Sequence, residues 1–171
     1  MTPGRRRVPK ILVPVDFGES ALEAWRYVRT LARRSNARIH VLHVVKQPQV
    51  GGLWRTERAR VQMSERLAEA DSSARRGLAR LVRRSGRRAR RVMIATAIGP
   101  IVDRILEYAA RNRIDVIVMG THRRGFVGRR LFGSVADRVV QRSPVPVVRV
   151  HRGAQPVRIR RRPRMHASRA R

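Results

Sequence analysis

Cysteine is absent from this chain of 171 residues. A disulfide framework, a thiolate metal site and a cysteine nucleophile are therefore excluded. Aromatic residues make up only 4% of the sequence, so a core has to be filled mostly by Val, Leu, Ile and Ala, and the apolar content of 42% allows this. The length suits one domain of ordinary size with tails, and a wholly disordered chain is excluded.

Acidic residues are also scarce. Eleven Asp and Glu stand against 41 Lys and Arg, which gives a net charge of +30, and every basic residue except Lys10 and Lys46 is arginine. Such a charge attracts polyanions at low salt, and arginine pairs bidentately with phosphate. Two interpretations stay open: a compositional bias, or a surface that binds nucleic acid non-specifically. No base-reading motif is present.

Long apolar runs are missing as well. No run in the sequence approaches the roughly 20 residues that span a bilayer. The first twenty residues contain an early acid, Asp16, and no cleavage pattern of small residues. We therefore expect a cytoplasmic protein without a membrane partner. Five scattered histidines show no metal-ligand spacing, so no metal site is predicted.

Short apolar runs alternate with amphipathic stretches along the chain. Residues 11–15 form an unbroken apolar run, which is typical of a strand covered on both faces. Between such runs, apolar residues recur at three- and four-residue spacing, the pattern of helices with one buried face. Further strands are predicted at 39–45, 92–97, 115–119 and 145–150. Helices are predicted at 20–36, in a long stretch that ends around Gly86, from Pro100 and from Ser134. In the long helix the predicted apolar stripe is Met63, Leu67, Ala70, Ala74, Leu78 and Leu81.

This alternation predicts a doubly wound α/β domain, a parallel sheet with helices on both faces. Pro144 and Pro146 place the last strand at an edge, because proline cannot donate to a ladder. His40 and His43 should point to opposite faces of the second strand. The predicted boundaries are a basic extension at 1–9, the domain at 10–151, and a disordered tail at 152–171 that carries eight arginines.

Two loops at the carboxyl ends of strands are the candidate binding elements, because ligands of open α/β sheets bind there. The loop after the first strand carries Asp16. The loop after the fourth strand carries glycines between Gly120 and Gly133, and Ser134 then begins a helix. Glycines allow backbone N–H groups to approach phosphate oxygens, and a helix start attracts anions. The pattern therefore predicts a phosphate site.

Four stretches resemble the universal stress protein family: KILVPVDFGESALEAWRYV, IHVLHVV, IGPIVDRILEYAARNRIDVIVMGTHRRG and GSVADRVVQRSPVPVVRV. The resemblance runs from about Lys10 to Val150. It implies a five-stranded parallel sheet of order 3-2-1-4-5, adenine nucleotide alpha hydrolase-like and Rossmann-like. It also implies a homodimer formed through the last strand. The implied function is a signalling or protective module that binds an adenine nucleotide, ATP with or without Mg²⁺, and is not an enzyme.

The resemblance also implies site residues. Asp16 is similar to the acid that contacts adenosine, and Val44 would line the adenine pocket. Helix capping by Asp16 and core packing by Val44 and Met119 are the competing interpretations. The implied nucleotide-binding set is Pro14, Val15, Asp16, Val44, Met119, Gly120, Arg123, Gly133, Ser134 and Val135.

One position departs from the family pattern. ATP-binding members have a glycine three residues after the position of Gly120, where this chain has Arg123; Gly133 and Ser134 match. Arg123 adds a Cβ where the family backbone is free to take positive φ. Either the side chain distorts or covers the phosphate turn, or a shifted loop lets residues 124–126 replace it. An interaction protein of the same fold that binds no nucleotide is the alternative function.

Overall fold

The computed structural model describes residues 8–47, 56–84, 91–121, 134–151 and 153. Most of the predicted extension at 1–9 and of the predicted tail at 152–171 lies outside them, so the domain boundaries stay predictions. Within the described residues, strands and helices alternate as expected. The strands are β1 (Lys10–Pro14), β2 (Arg38–Val45), β3 (Val92–Ile98), β4 (Val116–Gly120) and β5 (Val147–Val150), and the helices are α1 (Glu19–Ser35), α2 (Glu57–Arg83), α3 (Ile101–Arg111) and α4 (Ser134–Arg142).

The strands form one parallel sheet in the order β3-β2-β1-β4-β5. This confirms the predicted fold class and strand order. β1 is central: Pro14 pairs with Leu42 of β2, and Ile11 pairs with Val116 of β4. Because the strand order reverses beside β1, the crossover connections diverge there and open a crevice at the carboxyl ends of β1 and β4.

Alternate residues of β1 enter two separate cores. Ile11 and Val13 belong to the core that α1 and α2 cover, and Leu12 belongs to the core that α3 and α4 cover. Leu12 and Val13 are fully buried. The unbroken apolar run of this strand is therefore explained by helices on both faces of the sheet.

The short connection from α1 to β2 depends on Asn36. This residue has a left-handed φ of 58°, and its N–H donates to the carbonyl of Ala32 at 3.1 Å. Asparagine adopts this conformation more readily than most residues and so ends the helix. The chain then turns into β2 within two residues, with Ala37 buried.

Each residue of the predicted apolar stripe of α2 is at least partly buried, which confirms the stripe, but full burial is confined to the second half of the helix. Ala74, Leu78 and Val82 are buried, whereas Met63 and Leu67 are only partly covered. The helix has 27 residues and is about 40 Å long, but β3 has 7 residues and spans about 23 Å. The first half of α2 therefore extends past the strands, where its apolar side chains have no sheet beneath them.

Proline sets the start of the edge strand. β5 begins at Val147, two residues later than predicted, because Pro146 has no N–H to donate. Its carbonyl still accepts the N–H of Ile117 at 3.0 Å. The predicted position of β5 at an edge is confirmed by the strand order.

His40 and His43 lie on opposite faces of β2, as predicted. The ring of His43 packs on Phe17, whose tip reaches Gly77 of α2, and His40 packs edge-on against Tyr108 of α3. His40 is 2% exposed, and its Nδ1 lies 2.9 Å from the hydroxyl of Tyr108. Its Nε2 has no hydrogen-bond partner within the described residues.

This buried imidazole predicts acid sensitivity. Burial lowers the pKa of His40, and the charges of Lys10 and Arg38 lower it further. The unfolded chain therefore takes up a proton at higher pH than the folded one, and the stability that neutral His40 contributes is lost as the pH falls below about 6.5. We expect the free energy of unfolding to fall by up to about 1.4 kcal/mol per pH unit below that value.

Urea unfolding at several pH values measures this slope. His40→Gln is the matched variant, because it keeps a polar group but does not titrate. We expect a flatter pH dependence in the variant. Equal slopes in the two proteins would show that another group is responsible.

Candidate functional site

A cleft of about 270 Å³ lies at the carboxyl ends of β1, β2 and β4, where the strand order reverses. The first turns of α3 and α4 and the start of α1 close its sides. It brings together both loops that the sequence singled out, because Asp16 follows β1 and Gly120 ends β4. The two predicted binding elements therefore meet in one concavity.

Seven of the ten predicted site residues line this cleft. Arg123 and Gly133 lie outside the described residues. Ser134 is the first residue of α4, and its side chain also lies outside the description, so its predicted capping role is not tested. The lining residues from the predicted set are Pro14, Val15, Asp16, Val44, Met119, Gly120 and Val135. Their roles toward a ligand stay predictions.

The turn after β1 is held by Asp16. Its Oδ1 accepts the N–H of Gly18 at 2.9 Å, while Phe17 between them has a left-handed φ of 63°. Gly18 is the N-cap residue of α1, with no hydrogen bond from a capping side chain. Asp16 therefore stabilises the turn ahead of the helix rather than capping the helix itself, and its exposed carboxylate stays at the mouth of the cleft.

The floor of the cleft depends on the absence of a side chain at Gly120. A Cβ at this position would lie 1.9 Å from the carbonyl oxygen of Ser20 and 2.8 Å from the backbone nitrogen of Ala21. The end of β4 and the first turn of α1 are therefore in direct backbone contact. The packing requires glycine here, whether or not a ligand is bound.

His43 is a cleft residue that the sequence did not identify. Its Nδ1–H donates to the carbonyl of Val15 at 2.7 Å, and its ring lies 4.9 Å from that of Phe17. The ring of Phe17 in turn occupies the space that a side chain on Gly77 would need. His43 thus joins the β1 turn to β2 and, through Phe17, to α2.

One wall of the cleft is apolar. Ile101 and Ile105 of α3 and Ala136 of α4 line it together with Val44 and Met119, and all five belong to the core that α3 and α4 cover. Such a wall suits a flat apolar ring system, and the carboxylate of Asp16 provides a hydrogen-bond acceptor for hydroxyl groups. α1 and α4 also begin at the cleft, and the positive end of a helix dipole favours anions. These features together fit a ligand with a ring, a polyol and an anionic group.

The described residues contain neither a cluster of metal ligands nor a membrane-spanning helix. They hold no group of three or more His, Asp or Glu side chains arranged to bind a metal ion. None of their helices combines the length and the apolar character that crossing a membrane requires.

Comparison with known proteins agrees with this geometry. The family model "Universal stress protein family" matches residues 8–151. The chain belongs to the universal stress protein family. Universal stress protein MJ0531 of Methanocaldococcus jannaschii is 29% identical to it over 150 residues, which cover 85% of this chain and 83% of that protein.

Solved structures of the family have the same fold. Universal stress protein UspA from Lactobacillus plantarum is 24% identical, with a TM-score of 0.68 over 85% of this chain and 99% of that one. A universal stress protein family protein from Arabidopsis thaliana, solved with AMP bound, is 20% identical, with a TM-score of 0.55 over 85% and 93% of the two chains. At these identities the likeness establishes the fold alone.

The contact at Gly120 generates a prediction for stability. Gly120→Ala places a methyl group against the backbone of Ser20, which has no room to give, so we expect the free energy of unfolding to fall by more than about 3 kcal/mol. Chemical denaturation measures the loss.

Gly77→Ala is the control for this variant. Its Cβ would lie 2.9 Å from the ring of Phe17, but a ring can turn aside, and alanine favours the helix by up to about 1 kcal/mol. A loss at Gly77 as large as that at Gly120 would contradict the argument from backbone contact.

Proposed function

We propose that this universal stress protein binds an adenine nucleotide, ATP, in the cleft between β1 and β4 and serves as a signalling or protective module. One observation carries the proposal. Residues from β1, β2, β4 and α4, which the resemblance assigned to nucleotide contact from sequence alone, line a single cleft. The reversal of strand order brings these elements together, and the residues that they supply there are the ones that the resemblance assigned to nucleotide contact.

In this proposal each part of the nucleotide has its own surroundings. The adenine ring lies against Val44 and the apolar wall, above Met119, and the ribose lies near Asp16 and Gly120. The phosphates meet the N–H groups at the start of α4, where Gly133, Ser134 and Val135 follow one another. Arg123 lies in the same predicted phosphate loop, and Mg²⁺ would accompany the phosphates when present. The AMP bound to the Arabidopsis relative supports an adenine ligand for this fold.

We further propose that the protein binds ATP without turning it over as an enzyme. The sequence has no glycine-rich loop with the lysine that phosphate-transferring enzymes use. His43, the imidazole at the cleft, already donates its Nδ1–H to the carbonyl of Val15. Any hydrolysis would then be slow and incidental, and the proposed setting is the cytoplasm.

Assembly through the last strand is also part of the proposal. β5 is an edge strand, with β4 on one side only. Val148 is 37% exposed, and Val140 of the adjacent α4 is 40% exposed. An edge strand that presents apolar side chains suits pairing with a second copy, which supports a homodimer.

Thermal unfolding with and without ATP tests the nucleotide proposal. At a ligand concentration of about 100 times Kd the folded state gains about 2.7 kcal/mol, so we expect the melting temperature to rise by roughly 5 to 10 °C. Val135→Trp places an indole ring in the cleft and should abolish this rise. Native mass spectrometry of the same sample reports the bound nucleotide and the oligomer together.

Gln141→Trp is the matched control, because it adds the same side chain at an exposed position of the same helix. We expect it to keep the full shift. If millimolar ATP does not raise the melting temperature of the wild-type protein, nucleotide binding is refuted. If both variants lose the rise equally, the nucleotide does not bind in the cleft.

Arg123 distinguishes the proposal from the alternative, an interaction protein whose pocket binds no nucleotide. If the wild-type loop accepts phosphates, Arg123→Gly should change the Kd for ATP by less than about tenfold, or 1.4 kcal/mol. Isothermal titration calorimetry on both proteins measures this. ATP binding by the variant alone would instead support a site that this chain has lost.

A further inference from the structure

A second cavity, of about 330 Å³, lies at the other end of the sheet, where the strands begin. It is lined by Val8, Asn36, Arg38, Arg91 and Met93. We propose that this cavity is a binding site for the phosphate backbone of a nucleic acid. The site is separate from the nucleotide cleft and does not rest on the function proposed for that cleft.

Three cations start the three neighbouring strands at this end. Lys10 pairs with Arg38 in the register of β1 and β2, and Arg91 lies opposite Arg38, since Ile39 pairs with Val92. Like charges placed opposite one another across strands are destabilising. A bound anion would reduce the repulsion between these cations, so anion binding at this site would stabilise the folded protein.

No carboxylate of the protein neutralises the two arginines. All 11 acidic residues of the chain lie among the described residues, and none forms an ion pair with Arg38 or Arg91. Arg91 instead donates to the carbonyl of Asn36 at 3.4 Å. Asp115 is the acid at this end of the sheet, and its Oδ2 accepts the backbone N–H of Lys10 at 2.8 Å.

Two of these cations also contact the ends of helices. Arg91 donates to the carbonyl of Asn36, which is the C-cap residue of α1. Lys10 Nζ donates to the carbonyl of Asn112, the C-cap residue of α3, at 2.8 Å. A carbonyl group has a dipole but no net charge, so the guanidinium groups of Arg38 and Arg91 keep their charges for an external anion.

The dimensions and the lining favour a nucleic-acid backbone. Arg38 and Arg91 belong to neighbouring strands about 5 Å apart, and one strand of a duplex carries a phosphate for about every 3.4 Å of its axis, so the two cations suit adjacent phosphates. Met93, which is 51% exposed, and Val8 give the cavity an apolar side. A sugar ring would contact that side, whereas a chain of inorganic phosphate would leave it unused.

The lining contains no aromatic ring on which a base could stack. Binding is therefore expected to depend on phosphates and not on base sequence.

Salt-dependent binding of a labelled DNA duplex to the full chain tests the site. Each neutralised phosphate contributes about 0.9 to the slope of log K against log salt, so the double variant Arg38→Gln with Arg91→Gln should lower the slope by about 1.8. Fluorescence anisotropy between about 50 and 200 mM salt measures it. The double variant should keep the ATP response of the wild type.

The control variant is Arg58→Gln with Arg66→Gln. It removes the same net charge from exposed positions on α2. We expect it to lower the slope by much less. Equal effects in the two double variants would overturn the site and leave only attraction by the overall charge.

His40 provides a local readout. Because Arg38 contributes to lowering the pKa of His40, an anion bound at Arg38 should raise that pKa, and NMR titration with and without DNA follows the imidazole. A rise in the wild type that is lost in the Arg38 and Arg91 double variant supports the site. If DNA does not raise the pKa of His40, the proposal is overturned. It is also overturned if the double variant weakens binding of inorganic polyphosphate but not of DNA.

Discussion

Burial of β1 on both faces is the constraint on which the rest of the structure depends. This strand pairs with β2 on one side and β4 on the other, and helices cover it above and below. A strand without a polar face has to lie in the middle of a sheet, since any other position exposes apolar surface to water. The strand order reverses beside it, and the cleft is the consequence of that reversal.

The direction of the helices gives the two ends of the sheet different chemistry. All strands are parallel, so each connecting helix returns antiparallel to them and begins at the cleft end. Glu19, Asp103 and Asp137 lie in first turns, whereas last turns carry arginines such as Arg83 and Arg111. Carboxylates therefore collect around the cleft and cations at the opposite end.

Much of the cleft could be predicted from sequence because its two loops directly follow buried strands. Asp16 and Gly120 end or follow apolar runs, so their place at one edge of a parallel sheet follows from the alternation of elements. His43 was missed because its contact with Val15 depends on the register of β1 against β2. Ile101 and Ala136 were missed because the crossing of α3 and α4 over the cleft is a matter of helix packing, which a single chain segment does not encode.

The amino-acid sequence by itself determined the fold class, the order of elements and the loops that bear the candidate site, because these follow from local periodicity and from burial on both faces. Only the tertiary structure decided which residues became neighbours. The first half of α2 has an apolar stripe without a sheet beneath it, since the helix outruns β3. Gly120 touches the backbone of Ser20, and Arg38 lies beside Arg91, because strand register and crossover geometry bring distant segments together.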